Sequence, residues 1–216
     1  MKRIDYNLEG DLLSIVFPNH MIKDRKELLI ILLETLRYIL IAETIEQKAH
    51  VQQRVVLYID EMKRIFFFDK KKYYSLAIPF TLQLSHESST LIYNNIEIDA
   101  EIISNIITIL QDDSYQSSSY WDFFSLVDEQ SSKGVELWAI LKHLMTYDIG
   151  YLRFDDDEEG FRKAKGHGIP LRHPRYHIDV NLSNASTFKH GLSTNICPQD
   201  FINIIDNKKD RWTLSI

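Results

Sequence analysis

The side chains best suited to chemistry cluster in one stretch of the sequence, between Tyr151 and His190. Four of the eight histidines lie between positions 167 and 190. The segment from 161 to 177 adds five Lys or Arg residues and contains no acid. Clustered titratable groups are typical of sites that transfer protons or bind anions. This stretch is therefore the candidate functional site.

Alternating apolar residues predict three strands here, marked by Leu152 and Phe154, by Ile178 and Val180, and by Phe188 and Leu192. In a strand, residues two apart share a face, and sequential strands usually pair. The polar faces of the three strands should therefore coincide. That shared face would carry Arg153, Asp155, His177, Asp179, Asn181, Thr187 and Lys189, with His173 and Arg175 just ahead of it in a loop. We expect Arg153 and His177 to be exposed there, because a half-exposed sheet turns its polar face to solvent.

Metal-independent cleavage of a phosphodiester is the first chemistry that these residue types fit. A His or Asp takes a proton from a ribose hydroxyl, a second group protonates the leaving oxygen, and Arg or Lys stabilises the phosphorane. The residues that we assign to catalysis are His177, Asp179, Arg153 and Asp155, and those assigned to substrate binding are Lys189, His173, Arg175 and Arg172.

Two other interpretations stay open from the residues alone. His173, His177 and Asp179 form a two-histidine, one-carboxylate set of the kind that binds transition metals. Pro174, however, breaks any helix that would bring positions 173 and 177 together, and the neighbouring cations repel a divalent ion. We therefore predict no metal and no cofactor. The remaining interpretation is a surface without chemistry that binds an anion or a partner protein.

The elements that must position this stretch are predicted from periodicity. Residues 3–8 and 12–17 flank Glu9-Gly10-Asp11 as an N-terminal hairpin, and the acidic run 155–159 predicts a turn within a later hairpin. Helices are predicted from Asp24 to about 40, over 50–68, from the cap Asp99 to Leu110, over 119–129 and 135–146, and from Pro198 to Ile205. Strands are predicted over 74–84, with Pro79 at an edge or bulge, over 91–98 and over 211–216.

Composition sets the protein class. The 216 residues are 44% hydrophobic and 26% charged, which is typical of a packed globular chain. The single cysteine, Cys197, excludes an internal disulfide, and the formal net charge of −6 argues against a general nucleic-acid coat. The N-terminus does not resemble a secretory signal and no stretch is long and apolar enough to span a membrane, so we predict a cytoplasmic protein with no membrane partner.

The predicted fold class is α+β, with helices packed on one face of a C-terminal antiparallel sheet and with an N-terminal β-hairpin. We predict a single domain over residues 1–216. Its first part, 1–149, would be mainly helical with the hairpin and an additional strand pair. Its second part, 150–216, would be the sheet portion that carries the polar cluster.

Three strings of residues resemble a known group of sequences. They are Asp148-Ile-Gly-Tyr-Leu-Arg-Phe-Asp155, His173-Pro-Arg-Tyr-His-Ile-Asp179 and Thr187-Phe-Lys-His-Gly-Leu192. This part of the chain is similar to a family of uncharacterised bacterial proteins found among mobile-element and anti-phage defence genes. The resemblance covers mainly the last 80 or so residues. It marks Arg153, Asp155, His173, His177 and Asp179, and it implies no established activity.

These observations lead to two functional hypotheses. The first is a nuclease-like or RNA-acting effector of a bacterial defence or toxin–antitoxin system, with RNA or another phosphate-containing ligand as its partner. His177 and Asp179 would be its acid/base pair, and Arg153 and Lys189 its phosphate clamps. The second is a non-catalytic subunit that binds a partner protein from the same operon. Net acidity favours the second, and the basic, histidine-rich segment favours the first.

Overall fold

A computed structural model describes residues 3–22, 24–41, 53–84, 89–112, 134–180 and 188–210. Contacts divide the chain into two compact units, each assembled from separate segments. The unit that we call the sheet unit contains residues 1–9, 49–77 and 150–216, and the helical unit contains residues 10–48 and 78–149. A single domain over 1–216 stays a prediction.

Ten strands lie in the described residues. They are β1 (Arg3–Asn7), β2 (Arg54–Tyr58), β3 (Arg64–Phe68), β4 (Lys72–Ala77), β5 (Thr81–Leu84), β6 (Ser89–Tyr93), β7 (Ile96–Ile98), β8 (Leu152–Asp156), β9 (Tyr176–Val180) and β10 (Phe188–Leu192). The sheet unit holds seven of them in the order β1-β2-β3-β4-β8-β9-β10, and every neighbouring pair is antiparallel. The helical unit holds a three-stranded sheet in the order β5-β6-β7.

Six helices accompany these strands in the described ranges. They are α1 (Asp11–Val16), α2 (Arg25–Ile41), α3 (Ala100–Gln111), α4 (Gly134–Thr146), α5 (Glu158–Gly166) and α6 (Pro198–Ile205). The helices α1 to α4 belong to the helical unit, and α5 and α6 belong to the sheet unit. The predicted α+β class, with an antiparallel sheet and an N-terminal strand pair, is confirmed.

The helical unit is built around α2, as its apolar residues on nearly all sides predict. Leu28, Leu32 and Leu36 are completely buried, and α1, α3 and β6 pack against this helix. Asp24 accepts a hydrogen bond of 2.8 Å from the backbone N–H of Glu27 and so satisfies one of the free donors at the start of the helix. The predicted cap of α3 is also confirmed.

Two predictions for the first 70 residues are wrong in detail. The strand β1 pairs with β2, and the predicted partner strand 12–17 lies mostly in α1. The predicted helix over 50–68 is instead the pair β2 and β3, joined by a turn in which the Lys63 N–H donates to the Asp60 carbonyl. Both strands are buried on both faces, so their apolar residues are nearly continuous and mimic helical spacing.

Five further predictions are corrected or fall outside the described residues. The predicted strand 74–84 divides at Pro79 into β4 and β5, which belong to different sheets. The loop predicted over 161–177 and the acidic turn before it contain α5 and a short 3-10 turn at Pro170–Arg172. The helix 119–129 and the strand 211–216 lie outside the described residues.

The core of the sheet unit lies between one face of the sheet and α6. Phe201 and Ile202 of this helix pack with Phe66, Tyr73 and other buried side chains of that face. Phe201 meets the Phe66 ring edge to face at 6.2 Å. Burial of one such side chain stabilises the fold by roughly 1.5–3 kcal/mol. This packing fixes which face of β8 and β9 turns inward, because Phe154 and Ile178 belong to the same cluster.

Within the described residues, no helix is both long and apolar enough to cross a membrane.

Candidate functional site

The polar residues of β8, β9 and β10 share the face of the sheet that is turned away from α6. Two rows cross the strands there. In the first row, Tyr74 of β4 pairs with Arg153, Arg153 with Asp179, and Asp179 with Lys189. In the second row, Lys72 of β4 pairs with Asp155, Asp155 with His177, and His177 with Gly191. The predicted common face is therefore confirmed for Arg153, Asp155, His177, Asp179 and Lys189. Asn181 and Thr187 lie outside the described residues.

Arg153 joins the two carboxylates of this face. Its Nε donates to Asp155 Oδ2 at 2.6 Å, and its Nη2 donates to Asp179 Oδ2. The phenol oxygen of Tyr151 lies 3.4 Å from Nη1. Arg153 is only 7% exposed, so the prediction that it is an exposed group is wrong. A guanidinium held on three sides in this way orients the carboxylates and is poorly placed to clamp a phosphate.

His177 is held in one tautomer. Its Nδ1 lies 2.7 Å from the carbonyl oxygen of Pro174, which can only accept, so Nδ1 carries the proton. The Nζ of Lys189 lies 2.7 Å from Nε2, which must therefore accept from the ammonium. Burial, and then the positive charge of Lys189, lower the pKa of His177. The imidazole is thus neutral at pH 7, with its lone pair on Nε2.

His177 is 1% exposed, which again contradicts the predicted exposure. Asp155 Oδ2 and Asp179 Oδ1 each lie 3.7 Å from Nε2, and Lys189 Nζ binds both oxygens of Asp179 at 2.9 and 3.0 Å. The cluster contains two cations, two carboxylates and a neutral imidazole, so its charges balance. The side chain of Lys189 is 24% exposed and is the most accessible member of this group.

A metal ion would have to displace this arrangement. Asp155, His177 and Asp179 each offer one ligand atom, and these atoms lie within 4.8 Å of one another. Lys189 already donates to His177 and to Asp179, and Arg153 donates to Oδ2 of Asp155 and to Oδ2 of Asp179. The donor set fits a cation, and the protein supplies that cation from its own side chains. His173, predicted as a third ligand, binds Asp157 instead.

His173 lies beside this cluster in a pair with Asp157. Its Nε2 is 2.7 Å from Asp157 Oδ2, and its ring meets the His177 ring edge to face, with centroids 5.1 Å apart. Asp157 caps α5 by accepting the Gly160 N–H at 2.8 Å. A Cβ at Gly160 would overlap both Asp157 and His173, so this glycine makes room for the pair.

Two basic residues that were predicted to bind substrate lie at the margin of the cluster. Arg175 pairs with Asp156, with its Nε 2.7 Å from Oδ1, and its guanidinium lies 4.9 Å from the centroid of the Tyr176 ring. Arg172 is exposed in the 3-10 turn next to Leu171. Neither residue contacts the buried cluster through a hydrogen bond among the described side chains.

Sequence reasoning missed Asp157, Tyr151 and Lys72. Asp157 precedes two glutamates and a basic segment, and an aspartate in this position is typical of a helix N-cap. This pattern could have predicted the position of Asp157. Tyr151 precedes β8 and alternates in phase with Arg153 and Asp155, so its spacing placed it on the polar face. Lys72 and Tyr74 alternate in the same way on β4, but their pairing with β8 crosses a long segment of chain.

Comparison with family models, curated proteins and solved structures found no match to this chain. The resemblance of its last 80 residues to bacterial defence-associated proteins stays a prediction.

Proposed function

We propose that the chain is a nuclease-like effector of a bacterial defence or toxin–antitoxin system, and that it cleaves RNA by metal-independent acid/base chemistry. The observation that carries the proposal is the state of His177. This imidazole is neutral, its tautomer is fixed by the Pro174 carbonyl, and its basic Nε2 meets the ammonium of Lys189. A general base poised next to a cation is what attack on a phosphodiester requires.

Access to His177 is controlled by Lys189. The imidazole is 1% exposed, and the accessible lysine lies against its basic nitrogen. A substrate phosphate attracts the Lys189 ammonium, and this movement frees Nε2 for a ribose hydroxyl. The base is therefore uncovered only when a phosphate is bound, and the same lysine then stabilises the charge that develops on the phosphorane.

The other polar residues hold this pair in position. Asp179, the predicted partner of His177 in acid/base transfer, accepts from both Arg153 and Lys189 and is assigned here to positioning. Asp155 has the same role because Arg153 binds it while it faces His177 across the strands. Arg172, which is exposed, supplies positive charge for the substrate backbone at the margin, and the partly exposed Arg175 lies beside it in a pair with Asp156.

The test is cleavage of a fluorogenic DNA oligonucleotide that contains one ribonucleotide, in the presence of EDTA. The wild-type chain should cleave it and should leave an all-DNA oligonucleotide intact. His177→Gln should lower the rate by about 10²–10⁴-fold, the usual contribution of a general base. The matched control is His20→Gln, which removes an exposed histidine paired with Glu27 in the helical unit. Cleavage that persists in His177→Gln, or that EDTA abolishes, contradicts the proposal.

One observation favours the second hypothesis, a non-catalytic subunit that binds a partner protein. Leu171 is 91% exposed at the 3-10 turn, and Ile169 beside it is 42% exposed. Exposed apolar residues next to a cation are typical of a docking surface. Growth arrest on expression separates the two functions. Arrest lost in His177→Gln but kept in Leu171→Ser supports catalysis, and the reverse pattern supports docking.

A further inference from the structure

The segment His173-Pro174 contacts His177 in two ways. The Pro174 carbonyl binds Nδ1 of His177, and the preceding residue, His173, places its ring edge to face against the His177 ring. Gly191, which pairs with His177 on β10, leaves space for this segment, because a Cβ there would lie 2.8 Å from Pro174 Cγ. The two imidazoles are therefore held as neighbours by the backbone and by packing.

The two rings differ in charge partners and in exposure. His177 is buried and faces the ammonium of Lys189, which favours the neutral imidazole. The side chain of His173 is 29% exposed, and its Nε2 lies 2.7 Å from the Asp157 carboxylate, which orients the ring. Asp155 and Asp179 also lie 3.7 Å from His177 Nε2, and Arg175 pairs with Asp156. Two adjacent imidazoles, one buried beside an ammonium and the other partly exposed beside a carboxylate, are suited to act as base and acid.

The pair of Asp157 and His173 is held in place by the start of α5. Asp157 is fixed at the N-terminus of α5, where Oδ1 accepts the Gly160 N–H and Oδ2 meets His173 Nε2. Glycine within a helix costs about 1 kcal/mol relative to alanine. At position 160 it leaves the space that the carboxylate and the imidazole occupy.

We propose that His173, oriented by Asp157, is the general acid that protonates the 5′-oxygen leaving group of an RNA substrate whose own 2′-hydroxyl is the nucleophile. This inference rests on the proposed function and specifies its second proton transfer and its substrate class. A 2′-hydroxyl is present in RNA and absent from DNA. His173 is then a catalytic residue, and Asp157 is a positioning residue.

The reaction balances with these two histidines alone. The 2′-hydroxyl proton moves to His177 Nε2, the 2′-oxygen forms a bond to phosphorus, and the bond from phosphorus to the 5′-oxygen breaks. The leaving oxygen takes a proton from Nδ1 of His173, since Nε2 of that ring donates to Asp157. The products are a 2′,3′-cyclic phosphate and a 5′-hydroxyl. Exchange with water restores both protonation states.

The test uses the same oligonucleotide in two forms, one with the natural 5′-oxygen at the cleavage site and one with a bridging 5′-sulfur. A thiolate leaves without protonation, so it needs no general acid. With the oxygen substrate, His173→Gln should lower the rate by about 10²–10⁴-fold. With the sulfur substrate, His173→Gln should approach the wild-type rate, while His177→Gln should stay slow on both substrates.

The outcomes separate this inference from the function on which it rests. If the wild-type chain cleaves and His173→Gln is equally slow on both substrates, His173 is not the general acid, although the proposed function stands. If the wild-type chain cleaves neither substrate, the proposed function fails and this inference fails with it. Asp157→Asn supplies a second readout. It should slow cleavage of the oxygen substrate more than cleavage of the sulfur substrate, because the His173 ring loses the carboxylate that orients it, and an equal effect on both substrates contradicts the role of Asp157.

Discussion

Arg153 is the residue on which the charge balance of the site depends. It is buried, and it neutralises Asp155 and Asp179 from adjacent strands. Removal of one member of a buried ion pair leaves an uncompensated charge, and the cost exceeds that of any single lost contact. Arg153 is therefore a stabilising residue as well as part of the candidate site.

Replacement of Arg153 by Met should destabilise the protein by about 3–5 kcal/mol, because two carboxylates lose their buried partner. Urea denaturation monitored by circular dichroism measures the loss. The matched control is Arg162→Met, which removes an exposed arginine paired with Glu158 on α5 and should leave the free energy of unfolding nearly unchanged. Equal stability of the two variants would show that the Arg153 network contributes nothing.

His177 should make stability depend on pH. Its folded pKa is lowered by burial and by Lys189, while an unfolded histidine titrates near pH 6.5. The unfolded chain therefore binds more protons than the folded chain just below pH 6.5. The contribution of His177 is complete above that pH and is lost as pH falls toward the lowered folded pKa.

The urea midpoint of the wild-type chain should accordingly be lower at pH 5.5 than at pH 7.5. In His177→Gln this fall should be smaller, whatever the stability of the variant at pH 7.5. The comparison uses the change with pH and not the absolute midpoint, so a general loss of stability does not affect it. Identical pH dependence in both chains would contradict the neutral, buried state of His177.

At the scale of single elements, α5 forms around the Asp157–His173 pair. A helix of nine residues with a glycine at its third position gains little from intrinsic propensity. It begins where Asp157 caps it. The negative charges of Glu158 and Glu159 in its first turn interact favourably with the positive end of the helix dipole. Its start therefore depends on the same carboxylate that holds His173.

Gly160→Ala should destabilise the protein by about 1–3 kcal/mol, although alanine is the better helix former. The reason is that the added Cβ overlaps Asp157 and His173. Gly166→Ala is the matched control at the other end of α5, where a Cβ would meet open space, and it should be neutral or stabilising. Chemical denaturation compares the two variants. A stabilised Gly160→Ala chain would show that the pair does not need this space.

How much was predictable differs between elements. The strands β8 to β10 followed from strict alternation, because only one of their faces is apolar. The strands β2 and β3 did not, because Val55 to Tyr58 and Ile65 to Phe68 are buried on both faces. The common polar face followed from the same alternation. Its burial did not, since period two shows which side chains share a face and not what covers that face.

At the scale of the whole molecule, the two units interleave along the chain. The sheet unit takes its strands from three separate segments, and the helical unit takes its elements from the two segments between them. Composition and linkers reveal units that follow one another in sequence, so of the boundaries in this division the sequence marked only the one between residues 149 and 150. The strands β4 and β8, which pair at the centre of the large sheet, are separated in the sequence by residues 78–149 of the helical unit.

A chain that ends at Ile149 should therefore lose the cooperative fold of the sheet unit. It would keep β1 to β4 but expose the edge of β4 that pairs with β8, together with the core side that Phe154 and Phe201 complete. We expect the β1 to β4 part to aggregate or to lose amide protection, as measured by light scattering and by hydrogen exchange at these strands. Slow exchange retained in β1 to β4 of this shorter chain would show that these strands are independent, whereas a sharp thermal transition alone could come from the intact helical unit.

The pairing of Tyr74 with Arg153 also has a consequence during synthesis. The chain leaves the ribosome from its N-terminus, so β4 emerges long before β8. Until β8 has been synthesised, the edge of β4 that pairs with it stays unpaired. Contacts this distant in sequence form slowly, and unpaired edges invite association between nascent chains. The part of the chain that emerges before β8 includes the aromatic residues of β3 and β4, within Ile65 to Phe68 and at Tyr73 and Tyr74. The candidate site, which is assembled from β8 to β10, would likewise not form until the last third of the chain had been synthesised.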